Sequence, residues 1–132
     1  EGPLLGGNLS LLQCLLGTRF MPDLEGAVLF LEDVGEEVYR IDRMLAHLRL
    51  AGVLGGVAGV AVGRFTEVGR RGADGVLGLE EVLDNYLAPL GVPVAWGFPI
   101  GHIDDQWTMP VGVRARLDAD AGTLELLEPA VT

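Results

Sequence analysis

Five apolar residues in a row, Ala27-Val28-Leu29-Phe30-Leu31, run straight into two carboxylates, Glu32 and Asp33. A strand with one wet face would alternate apolar and polar residues. An unbroken aliphatic run of this length reads instead as a strand covered on both faces, the kind found in α/β sheets. That requirement constrains the chain more than any other feature. In open α/β sheets ligands gather beyond the carboxyl ends of the strands, so Glu32 stands where chemistry is usually done.

The flanking pattern supplies the rest of such a sheet. Asn8 is placed to cap a short helix over residues 9–16, with Gly17 ending it. After the carboxylates, Val38, Ile41, Met44, Leu45 and Leu48 recur at spacings of three and four, which predicts a helix over 36–51 with one apolar stripe and Gly52 at its end. Residues 57–65 read as a second buried strand, 70–75 as a polar turn, 79–87 as a third helix stopped by Pro89, and 92–96 as another strand. Residues 110–117 and 123–127 alternate about a turn at 118–122 and read as a terminal hairpin. The predicted order is α-β-α-β-α-β-β-β, one mixed α/β domain over residues 1–132, with no internal repeat or linker.

Composition narrows the function classes. A chain of 132 residues that is 49% apolar can bury a real core. A net charge of −10 leaves no basic patch for nucleic acid and disfavours anionic membrane surfaces. All nine basic residues are arginine, so no lysine is present for Schiff-base chemistry. Cys14 is the one cysteine, which rules out an internal disulfide and fits a reducing compartment. Its neighbours Leu11, Leu12, Leu15 and Leu16 suggest a core position. Glu1-Gly2-Pro3-Leu4 does not read as a signal peptide, and the weakly polar stretch 51–63 is interrupted by five glycines.

A second candidate for chemistry is His102, in the glycine- and proline-rich segment Gly97-Phe98-Pro99-Ile100-Gly101-His102 after a predicted strand. A carboxylate that accepts a hydrogen bond from an imidazole fixes its tautomer and stabilises the imidazolium during proton transfer. Spacing alone leaves two readings open: a Glu32–His102 pair, or a capping carboxylate and an unrelated loop histidine. His102, Asp104 and Asp105 lie within four residues but lack a convincing fourth ligand, so no metal site is expected. Ser10, the single serine, sits at a helix start with no Gly-x-Ser-x-Gly turn to expose it, and its expected work is hydrogen bonding there. His47 and the Tyr39–Arg43 stretch read as solvated helix surface, Trp96 as packing.

Gly6-Gly7-Asn8-Leu9, Leu29-Phe30-Leu31-Glu32-Asp33, Tyr39-Arg40-Ile41-Asp42-Arg43-Met44-Leu45, Leu50-Ala51-Gly52 and Gly97-Phe98-Pro99-Ile100-Gly101-His102 follow one another in the order seen in a known family. From about residue 6 to 127 the chain resembles the C-terminal domain of the LD-carboxypeptidases, serine peptidases that include murein tetrapeptidases and microcin C self-immunity peptidases. The resemblance implies a layered β/β/α domain of the swivelling type and a Ser-His-Glu triad. In it Glu32 and His102 match the glutamate and the histidine, and the serine belongs to a separate N-terminal domain that this chain lacks.

It further implies a cytoplasmic enzyme that needs no cofactor, acts on murein peptides and forms a homodimer, to which Trp107 and the terminal hairpin could contribute. Asn8, behind two glycines, and Asp104 become candidates for lining the substrate site, Trp107 for a lid, and Arg40 or Asp42 for bracing the strand end at Glu32. A microcin-type immunity peptidase would use the same triad, and a non-catalytic scaffold would keep the fold alone.

Overall fold

The computed structural model describes residues 1–69 and 77–131; the polar turn predicted over 70–75 lies outside them. Its elements are β1 (Gly2–Asn8), α1 (Leu9–Cys14), β2 (Val28–Val34), α2 (Val38–Leu50), β3 (Gly59–Thr66), α3 (Leu79–Leu87), a 3-10 turn (Ala88–Leu90), β4 (Val94–Trp96), β5 (Arg114–Asp118) and β6 (Thr123–Leu126). The six strands form one mixed sheet in the order β4-β3-β2-β1-β5-β6. β1 to β4 are parallel, and β5 and β6 join antiparallel at the β1 edge.

The apolar run fills the centre of the sheet. Val28 to Leu31 are all buried, and their side chains alternate between two cores as the pleat requires. Leu29 and Leu31 face a larger core built from Leu9 and Leu12 of α1, the α2 stripe Val38, Ile41, Met44, Leu45 and Leu48, and Val82, Leu83 and Leu87 of α3. Val28 and Phe30 face a smaller one with Leu4, Ala61, Ala95, Phe98, Ile100, Ala115 and Leu117. All three helices therefore lie on one face. The sheet curls so that β5 and the segment after β4 cover the other, giving a six-stranded mixed sheet that approaches a barrel. Glycine and alanine make the curl possible: a Cβ on Gly59 would lie 3.2 Å from Leu117 Cδ2.

Three differences from the sequence reading concern order and burial. β1 is a strand that the periodicity did not reveal, because Pro3, Gly6 and Gly7 interrupt any apolar pattern; the observed order begins β-α. Cys14 is exposed rather than in the core. On a helix of 3.6 residues per turn, burying Leu9 and Leu12 turns residues 11 and 14 outward, and Leu11 is correspondingly 68% exposed. Trp96, expected to pack, is also 43% exposed, on a strand only three residues long at the edge of the sheet.

Candidate active site

Glu32 and Asp33 are the buried charged residues among those described, at 6% and 2% exposure. Strand alternation separates them. Asp33 shares the helix face with Leu29 and Leu31 and is satisfied there. It accepts from Asn8 Nδ2 at 2.9 Å, from the Ser10 amide at 2.9 Å, from Ser10 Oγ at 2.8 Å and from the Val34 amide at 2.8 Å. A carboxylate with that many donors is well compensated for burial.

Glu32 shares the other face with Val28 and Phe30. At this point the pairing of β2 with β3 slips: Leu31 pairs with Val62 but Asp33 pairs with Phe65, so Gly63 and Arg64 oppose the single residue Glu32. A bulge of this kind bends a strand and re-aims side chains near its end. The segment after β4 closes onto it. Arg64 N–H donates to Ile100 O at 2.8 Å, and Trp107 N–H donates to Pro99 O at 2.7 Å. A Cβ on Gly63 would lie 2.5 Å from Ile100 O, so glycine is needed for that approach.

This closure brings His102 to Glu32, seventy positions away, with Nδ1 2.9 Å from Glu32 Oε2. An ionised carboxylate only accepts, so Nδ1 is the donor in this contact and Nε2 is the ring nitrogen on the far side from Glu32. The His102 side chain is 55% exposed while that of Glu32 is 8% exposed, an imidazole presented outward on a buried anchor. Gly101 makes the approach possible. Its φ is +122°, and a Cβ there would lie 2.8 Å from Glu32 Oε2 and 3.0 Å from Arg64 O. The pair sits in an open cavity of about 230 Å³ whose walls include Gly7, Phe30, Gln106, Trp107 and Met109. The arrangement can take a proton from a group brought up to Nε2 and return it to another.

The remaining candidates fall elsewhere. Asn8 caps α1: its Oδ1 accepts from the Leu11 amide at 3.1 Å while its Nδ2 donates to Asp33, which engages both ends of the side chain on the helix side. Asp104 is exposed on the loop and is not among the residues that line the cavity. Arg40 and Asp42, considered as braces for Glu32, do not reach it. Arg40 Nε donates to Tyr39 Oη at 3.2 Å and its guanidinium lies 3.7 Å from Glu36, while Asp42 accepts from Tyr86 Oη at 2.7 Å. Ser10 is held by Asp33 on the face opposite Glu32. His47 is exposed and meets Gln13 at 2.7 Å. No group of three His, Cys, Asp or Glu side chains among the described residues converges to hold a metal. Gln106 and Met109 are cavity residues that sequence reasoning missed; only their positions four and seven places beyond His102 could have pointed to them.

Residues 1–117 match the sequence profile of the LD-carboxypeptidase C-terminal domain. The chain belongs to that family. It is 43% identical to the probable murein peptide carboxypeptidase of Bacillus subtilis over 89% of its own length and 37% of that protein. The crystal structure of the muramoyltetrapeptide carboxypeptidase from Oxalobacter formigenes superposes with a TM-score of 0.83 at 39% identity, over 93% of this chain and 43% of that one. The Escherichia coli microcin C7 self-immunity protein is 31% identical over 97% of this chain and 37% of its own. The chain thus spans about two fifths of the length of the relatives it matches. Among the described residues, no helix of this LD-carboxypeptidase domain is long and apolar enough to cross a membrane.

Proposed function

We propose that this LD-carboxypeptidase domain is the general-base half of a serine peptidase that removes the terminal D-amino acid, D-Ala above all, from murein tetrapeptides in the cytoplasm. The observation that carries the reading is the 2.9 Å contact between His102 Nδ1 and the buried Glu32 Oε2, with the imidazole itself more than half exposed. In the proposed reaction a serine on a preceding domain attacks the carbonyl of the scissile amide as His102 Nε2 takes its proton. The resulting imidazolium, held and stabilised by Glu32, passes that proton to the leaving amine, and an acyl-enzyme remains. Water, deprotonated by the same nitrogen, then releases the shortened peptide. The names of the relatives and the span of two fifths of their length support a nucleophile outside this chain, and the engagement of Ser10 with Asp33 argues against a nucleophile within it.

The test compares the 132-residue chain with the full-length protein that carries it. The full-length protein is expected to release D-Ala from a murein tetrapeptide and to react with a serine-directed fluorophosphonate, while the chain alone does neither. Labelling of the isolated chain at Ser10 would overturn this division of the site. The likeness to the microcin C7 self-immunity protein favours a second substrate class, aminoacyl or peptidyl nucleotides; cleavage of such a compound with the tetrapeptide left intact would select it.

A further inference from the structure

The segment that carries His102 also carries an aromatic wall. Trp107 is 47% exposed, yet it is not loose. Its amide is tied to Pro99 O at 2.7 Å, and its indole leans on the buried Phe98 ring at 6.1 Å between centroids and 51° between planes. The wall is therefore fixed relative to the imidazole, because both stand on the same pinned stretch between Gly97 and Trp107.

Trp107 borders two depressions. On one side lies the cavity of about 230 Å³ at the His102–Glu32 pair. On the other lies a larger apolar groove of about 510 Å³ against Leu4, Pro110, Leu124 and Leu126, between the loop and the β5–β6 hairpin. Gln106 and Met109 also line both, so the two spaces are neighbours that share Trp107 as a lining residue.

Proton transfer decides which part of a substrate meets this wall. The imidazole must hand its proton to the leaving amine, so the leaving residue lies against the group that donates it. The attacked carbonyl lies toward the nucleophile. In a carboxypeptidase the leaving residue is the terminal one. We infer that Trp107 sets the size of the terminal D-residue released: it closes the cavity beside His102 to the dimensions of a small side chain and bars the way into the apolar groove. This rests on the peptidase reading above and adds a specificity-determining residue to it.

The experiment measures kcat/KM of the full-length protein for tetrapeptides ending in D-Ala and in D-Leu. Wild type is expected to prefer D-Ala. Trp107→Ala opens the cavity into the groove and is expected to narrow the preference at least about tenfold, chiefly by raising kcat/KM for D-Leu, since one apolar contact decides about 10- to 200-fold in such pockets. Trp107→Phe keeps an aromatic ring against Phe98 and is expected to keep most of the preference. Cleavage of D-Ala peptides with the same preference in Trp107→Ala, or a wild type indifferent to the terminal side chain, would overturn the role of Trp107 and leave the peptidase reading standing. Failure of the wild type to release either residue would remove both.

Discussion

At the scale of single residues, the site depends on which way adjacent side chains point. Glu32 and Asp33 are neighbours in sequence, yet one supports an imidazole and the other organises the start of α1. Gly101 is as necessary as either. Alanine at this position would require a strained φ and would push on the Glu32 carboxylate and on the Arg64 carbonyl. On the proposed function, Gly101→Ala in the full-length protein is therefore expected to lower kcat by about a hundredfold with a smaller change in KM, the effect of moving the proposed base by an ångström or so. Turnover at the wild-type rate would show that the close approach is dispensable. Glu32 was legible as a candidate because an apolar run ends there abruptly, and His102 because it follows glycines after a strand. Spacing left their meeting as one of two readings and the family resemblance implied it; the means were not legible, namely the bulge at Gly63-Arg64 and the folded-back segment between Gly97 and Trp107. Cys14 was misread because counting apolar neighbours ignores the direction in which a helix turns them.

At the scale of elements, long periodic segments could be read and interrupted ones could not. The stripe of α2 and the bounds of α3 follow from spacing, and both helices dock where the pattern places them. β1 escaped because Pro3, Gly6 and Gly7 leave it no alternation, although its pairing with the central strand β2 gives it a place in the sheet. α2 and α3 are also joined by a polar clamp invisible in the sequence: the buried Tyr86 hydroxyl donates to Asp42 at 2.7 Å, and the Arg49 guanidinium lies 4.6 Å from the centre of its ring. Tyr86→Phe is expected to cost about 1–2 kcal/mol of stability by denaturant unfolding at neutral pH. Burial, reinforced by the Asp42 carboxylate, raises the Tyr86 phenol above its ordinary range. The unfolded chain then loses this proton first. The stabilisation is complete below pH about 10 and disappears as pH rises through the higher folded value. Wild type should accordingly lose stability more steeply than Tyr86→Phe on the alkaline side, and parallel curves would remove the clamp from the account of α2–α3 packing.

At the scale of the whole molecule, the curl of the sheet positions the site. Four parallel strands deliver the ends of β1, β2 and β3 to one edge, and the covering segment after β4 brings the imidazole to that edge from above. The α/β class and the terminal hairpin were readable, while the strand order and the curl were not, because small residues such as Gly59 and Ala61 carry packing information only once their partners are known. What the molecule presents at that edge is an anchored base turned toward open space. The most direct measurement is the steady-state kinetics of the full-length protein with Glu32→Ala and His102→Ala, each on a murein tetrapeptide. Both variants are expected to lose kcat by orders of magnitude with KM little changed. Turnover near the wild-type rate in either one would contradict a proton-transfer pair at Glu32 and His102.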